Sequence, residues 1–149
     1  MSAIRVSTVI DAPPPVVWAV VADIGAHVEW MHDAVAIRFT SPTERGVGTT
    51  FDCDTRIGPF ALTDRMEITE WVEGEAISVR HVGVVRGTGR FTLRPVGVHH
   101  TEFTWSEQLT FPWWMAGPLG ARVSAPVLRA VWRRNLRALK AIVEARAAA

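Results

Sequence analysis

The chain has 149 residues, enough for one continuous hydrophobic core, and a single domain over 1–149 is expected. Apolar residues make up 48% and charged residues 21%, which excludes a disordered or fibrous chain. The net charge of +1 gives no bulk attraction to nucleic acid, and the one cysteine, Cys53, excludes an intrachain disulfide and a Cys-based zinc site.

Ile4, Val6, Thr8 and Ile10 alternate with Arg5 and Ser7, which predicts a first strand. Residues 1–6 lack the basic stretch, apolar run and cleavage site of a signal peptide. No apolar run approaches the roughly 20 residues that span a membrane, so a cytoplasmic protein without stable membrane insertion is expected. Asp11 and the run Ala12-Pro13-Pro14-Pro15 stop the strand and start a helix, because proline suits a first helical turn. A short apolar helix over 16–22 follows. Gly25 breaks it, and a second short helix is expected over 26–33.

Six further strands are predicted from alternation between turn signals. Val35, Ile37 and Phe39 alternate up to Ser41-Pro42, and 47–57 alternates with Thr50, Asp52, Asp54 and Arg56 on the wet face. Gly58-Pro59 turns the chain into Phe60, Leu62, Asp64, Met66 and Ile68. Glu73-Gly74 turns it into Ile77, Val79 and His81. Segments 85–93 and 101–109 form the last pair, joined near Val96-Gly97.

The stretch 119–149 reads as a helix, with a kink or restart at Pro126. At roughly 100° per residue, Leu128, Val131, Trp132, Asn135, Leu136, Leu139, Ile142 and Val143 share one arc. Arg129, Arg133, Arg134, Arg137, Lys140 and Glu144 take the other. Such a helix needs an apolar surface to cover, and a curved sheet offers one.

Asp11-Ala12-Pro13, then Val17-Trp18 and Glu29-Trp30, and later Phe111-Pro112 and Gly117-Pro118-Leu119-Gly120 before an Arg-rich last helix, resemble the polyketide cyclase/dehydrase and lipid-transport proteins of the START-like superfamily. The resemblance spans essentially the whole chain. It implies the α+β helix-grip fold: a seven-stranded antiparallel sheet wrapped around a long C-terminal helix, with two short helices between strands 1 and 2. Members bind, carry or convert very different ligands, so the fold leaves the function open.

In that fold the inward residues would line a cavity. Phe51, Cys53, Phe60, Met66, Phe91, Phe103 and Trp105 from the strands, Trp30, and Leu128, Trp132 and Asn135 from the helix are the expected ligand-binding set, with Ser124 as a further polar group. Seven Trp, six Phe and no Tyr would favour flat or greasy ligands.

Asp64, His81 and Glu107 interrupt this apolar face. The turns place Cys53 opposite Asp64, Met66 opposite His81, Gly87 opposite Glu107 and Gly89 opposite Trp105. Gly87 would then leave an unfilled gap of about 9 to 10 Å between His81 and Glu107, wide enough for a ligand's polar group. Burial would push both towards their neutral forms unless each found a partner.

Two functions follow. One is binding or carriage of a small hydrophobic molecule, lipid- or polyketide-like. The other is a cyclase, dehydratase or isomerase using His81 with Glu107 or Asp64 as an acid/base pair. An interior filled by its own aromatics would instead point to an interaction domain. No cofactor is expected, since there is no phosphate loop or nucleophile elbow, and no histidine spacing suits a metal. The Trp113-Trp114 segment is read as a lid or core element in preference to a membrane contact. The seven Lys and Arg residues of 122–146 could meet an acidic protein partner or serve as a solvated face.

Overall fold

The computed structural model describes residues 2–149. Strand β1 (Ser2–Ile10) is followed by helix α1 (Pro14–Val21), a 3-10 turn over Ile24–Glu29, and strands β2 (Ala34–Phe39), β3 (Thr50–Ile57), β4 (Phe60–Val72), β5 (Ala76–Val82), β6 (Arg86–Val96) and β7 (His100–Thr110). A second 3-10 turn (Trp113–Met115) leads into helix α2 (Gly117–Ala148). The strands form one antiparallel sheet in the order β1-β7-β6-β5-β4-β3-β2. This is the expected helix-grip architecture, with the two short helical elements between β1 and β2.

Pro126 lies inside α2 without ending it, so the expected restart does not occur. The second short element is a 3-10 turn rather than an α-helix, and it ends four residues earlier than expected. Proline starts α1 because its missing N–H costs nothing in a first turn.

The buried face of α2 carries Trp132, Leu136, Leu139 and Val143, and its close contacts are chiefly with β1, with fewer to α1 and β7. Each such side chain removed from water contributes about 1.5–3 kcal/mol before entropy is counted. The helix end is also pinned by polar contacts. Lys140 Nζ donates to the carbonyl of Val9 at 2.8 Å, and Glu144 accepts the Asp11 backbone N–H at 2.9 Å. No helix is long and apolar enough to cross a membrane among the described residues.

Candidate functional site

Alternation along β4 to β7 sends Asp64, His81, Gly87, Gly89 and Glu107 to the concave side of the sheet. There the three ionisable groups meet directly. His81 Nδ1 lies 2.8 and 3.0 Å from the two oxygens of Asp64, and Nε2 lies 2.8 Å from Glu107 Oε2. Glu107 Oε1 accepts the Trp105 indole N–H at 3.0 Å. His81 and Glu107 are buried, while the Asp64 side chain stays 16% exposed. A ring with a carboxylate at each nitrogen donates from both and is therefore an imidazolium. Burial alone would lower its pKa, but the hydrogen bonds to Asp64 and Glu107, with their charges, outweigh this and raise it from 6.5 to about 10.

Two glycines face this array, and the contact depends on the bare backbone of Gly89. Gly89 pairs with Glu107, and Gly87 pairs with His81 on one side and Leu109 on the other. A Cβ on Gly89 would lie 2.5 Å from Glu107 Oε1. One on Gly87, at φ +137°, would lie 1.8 Å from the carbonyl oxygen of Gln108. The register here corrects the sequence expectation. The loop is 97–99, with Val96 opposite His100, so Gly89 rather than Gly87 faces Glu107, and Phe91 rather than Gly89 faces Trp105. The gap foreseen for a ligand is filled by the Glu107 carboxylate itself. The Cys53–Asp64 and Met66–His81 pairs are as expected.

This geometry limits the chemistry. An imidazolium held by two carboxylates has no lone pair with which to accept a proton, and it is a weak acid at neutral pH. Cys53, opposite Asp64, is held as a neutral thiol: burial pushes its pKa up to about 11, with Asp64 adding to the effect. Among the described residues no group of three or more His, Cys, Asp or Glu side chains is arranged to hold a metal ion.

The apolar residues divide into a packed wall and a looser face. Trp30, Phe91, Phe103 and Trp105 form a cluster of tilted and edge-to-face rings with centroids 5.2–6.4 Å apart. Trp105 stacks on Trp132 of α2 at 4.8 Å, joining sheet to helix. Trp30 is almost fully buried, and its indole N–H has no acceptor. Phe51 and Cys53 are buried. Because α2 rests on β1 and β7, the concave side of β4 and β5 lies farther from it. Leu62, Met66 and Val79 there, with Phe91 on β6 and Leu128 on α2, are only half-buried. Leu62 and Val79 were absent from the expected set, although their two-residue spacing from Asp64 and His81 places them on this face.

Three expectations change. Phe60 sits at the Gly58-Pro59 hairpin and is 70% exposed, because the strand overshoots the region α2 covers. Asn135 is fully buried, but its amide is engaged elsewhere. Its Oδ1 accepts the His32 backbone N–H at 2.9 Å, and its Nδ2 donates to Asp33 Oδ1 at 2.6 Å. Ser124 donates to the Ala121 carbonyl within its own helix at 3.2 Å.

Two recesses, of about 400 and 460 Å³, open to solvent. The first is bounded by α1, the turn after it, Phe39 and Arg45. The second is lined by Arg80, His81, Val82, Arg86, Gly87 and Thr88, where β5 turns into β6, and so includes His81 of the array. Trp113 and Trp114 are 87% and 62% exposed, which overturns a core role for them.

The sequence pattern of the family described as polyketide cyclase / dehydrase and lipid transport matches residues 1–147. The chain belongs to this family. Among solved structures, a protein of Thermus thermophilus is similar at 17% identity with a TM-score of 0.80, covering 97% of this chain and 98% of that one. The Zhui aromatase/cyclase from a Streptomyces species is similar at 18% identity and a TM-score of 0.75, covering 97% and 94%. A START superfamily protein from Mycobacterium smegmatis is similar at 14% identity and a TM-score of 0.68, covering 97% and 96%. These likenesses establish a shared START-like fold. No curated protein matches the chain.

Proposed function

We propose that the chain is a single ligand-binding domain that holds a small hydrophobic molecule, lipid- or polyketide-like, against the concave face of β4 to β6. The observation that carries this reading is the Asp64–His81–Glu107 array, with His81 and Glu107 buried and Asp64 partly exposed, beside half-buried Leu62, Met66, Val79 and Phe91. Desolvating three charged groups costs several kcal/mol per ion, and apolar side chains of similar volume are often as stable. An array retained beside partly uncovered apolar surface is suited to orient one end of a ligand whose remainder covers that surface. The orphaned N–H of Trp30 is a second polar group in the same aromatic wall, able to meet a ligand oxygen. Likeness in fold to an aromatase/cyclase supports an aromatic or polyketide-like ligand class. Binding is favoured over acid/base catalysis because both ring nitrogens of His81 are engaged.

The test is to purify the protein under native conditions, extract it with organic solvent and analyse the extract by mass spectrometry. A stoichiometric hydrophobic compound is the expected result. An empty extract, with tryptophan fluorescence unchanged across a panel of lipids and polycyclic aromatics, refutes the reading and leaves an interior served by its own aromatics.

A further inference from the structure

We propose that the polar end of the ligand is a hydrogen-bond donor, a hydroxyl, phenol or amine, and not a carboxylate. This inference rests on the ligand-binding reading above and specifies the chemistry at its polar end.

The argument is an inventory of donors and acceptors on the concave face. Both N–H groups of His81 are spent on Asp64 and Glu107, and the Trp105 N–H is spent on Glu107. The array therefore offers no free donor. It does offer acceptors: a carboxylate has about four lone-pair sites, and the two oxygens of Asp64 share one ring N–H between them. Asp64 is also the one member of the array that is not buried, and Leu62 and Met66 flank it on the half-buried face.

Charge points the same way. Two carboxylates around one imidazolium leave one net negative charge, in a setting that screens less well than water. Among the described residues neither Asp64 nor Glu107 pairs with a Lys or Arg. Arg65, Arg80 and Arg90 alternate to the outer face, where they pair with Asp52, Glu67 and Glu70. The Trp30 N–H is a neutral donor, able to meet a carbonyl or ether oxygen but unable to neutralise an anion. A ligand carboxylate placed here would lose its hydration and face like charge. A hydroxyl, phenol or amine would donate to Asp64 in a charge-assisted hydrogen bond.

The experiment compares matched probes on the intact protein at neutral pH: naphthalene, naphthol and naphthoate, with dodecanol and dodecanoate as an alkyl pair. Binding is read by tryptophan fluorescence and by calorimetry. The alcohol of each pair is expected to bind about tenfold or more tighter than its carboxylate, and naphthol tighter than naphthalene. Asp64→Asn is expected to bring each pair within about threefold. The wild-type comparison stands whether or not that variant folds. Carboxylates that bind as tightly as their alcohols overturn this inference and leave the ligand-binding reading in place. Failure of all five probes to bind overturns both.

Discussion

Glu107 and His81 meet across a strand to which neither belongs, with Oε2 of the β7 residue 2.8 Å from Nε2 of the β5 residue, beside the bare backbone of Gly89 on β6. A methyl group at Gly89 would occupy the place of the carboxylate. Gly89→Ala is therefore expected to break the contact and destabilise the protein by about 3 kcal/mol, the cost of separating a buried ion pair. Urea denaturation measures this, and a loss below about 0.5 kcal/mol would show that Glu107 has another place to go.

Stability should peak near pH 6.5, with two histidines shaping the two sides. His81 has a folded pKa of about 10 against 6.5 unfolded, so its contribution is complete below pH 6.5 and is lost as pH rises through 10. His27 is the opposite case. Burial lowers its pKa to about 4, against the opposing effect of its hydrogen bond to the Val21 carbonyl. Its contribution is complete above pH 6.5 and is lost as pH falls towards 4. Thermal midpoints across this range should show both slopes, and His81→Asn should flatten the alkaline one. An unchanged alkaline slope in that variant would count against the imidazolium assignment.

Asn135 ties α2 to the segment before β2 through His32 and Asp33. Asn135→Leu should cost about 2–3 kcal/mol by stranding a partly buried backbone N–H and a carboxylate. The affinity of the remaining folded protein for naphthol should change less than twofold. A larger change in affinity at full stability would return Asn135 to the ligand site.

Trp113 and Trp114 make little use of their rings in the folded chain. Replacing both with serine should move stability by no more than about 0.5 kcal/mol. Their fluorescence should be quenched by iodide, while that of Trp30 and Trp105 is protected. A large loss of stability on replacement would mean that the rings pack down in solution.

The fold was legible because each strand alternates and each turn carries its own signal. Two pairings show where that legibility ends. The pairing of Met66 with His81 is right through compensation. The β4–β5 turn is one residue longer than Glu73-Gly74 implies, and a bulge between Ile68 and Glu70 restores the register. At β6–β7 nothing compensates, and the register moves by two residues. That even shift keeps every side chain on its expected face, so Asp64, His81 and Glu107 still converge. The direct contact between His81 and Glu107 was not legible, because it depends on the rotamer that carries a carboxylate over a neighbouring glycine. Phe60 and Asn135 misled for a related reason: alternation gives a residue's face, but not how far along the strand the helix extends or which loop claims an amide.

The two inward glycines have an evolutionary consequence. A substitution at Gly87 is excluded by the Gln108 carbonyl whatever stands at position 107, whereas at Gly89 it is excluded only while Glu107 reaches across and becomes permissible once position 107 carries a short side chain. Loss of Glu107 in turn leaves the buried Nε2 of His81 without its acceptor, with Asp64 alone holding the ring. Positions 81, 89 and 107 are therefore epistatic. A descendant lineage would be expected to retain all three or exchange them together, passing through destabilised intermediates between the two states.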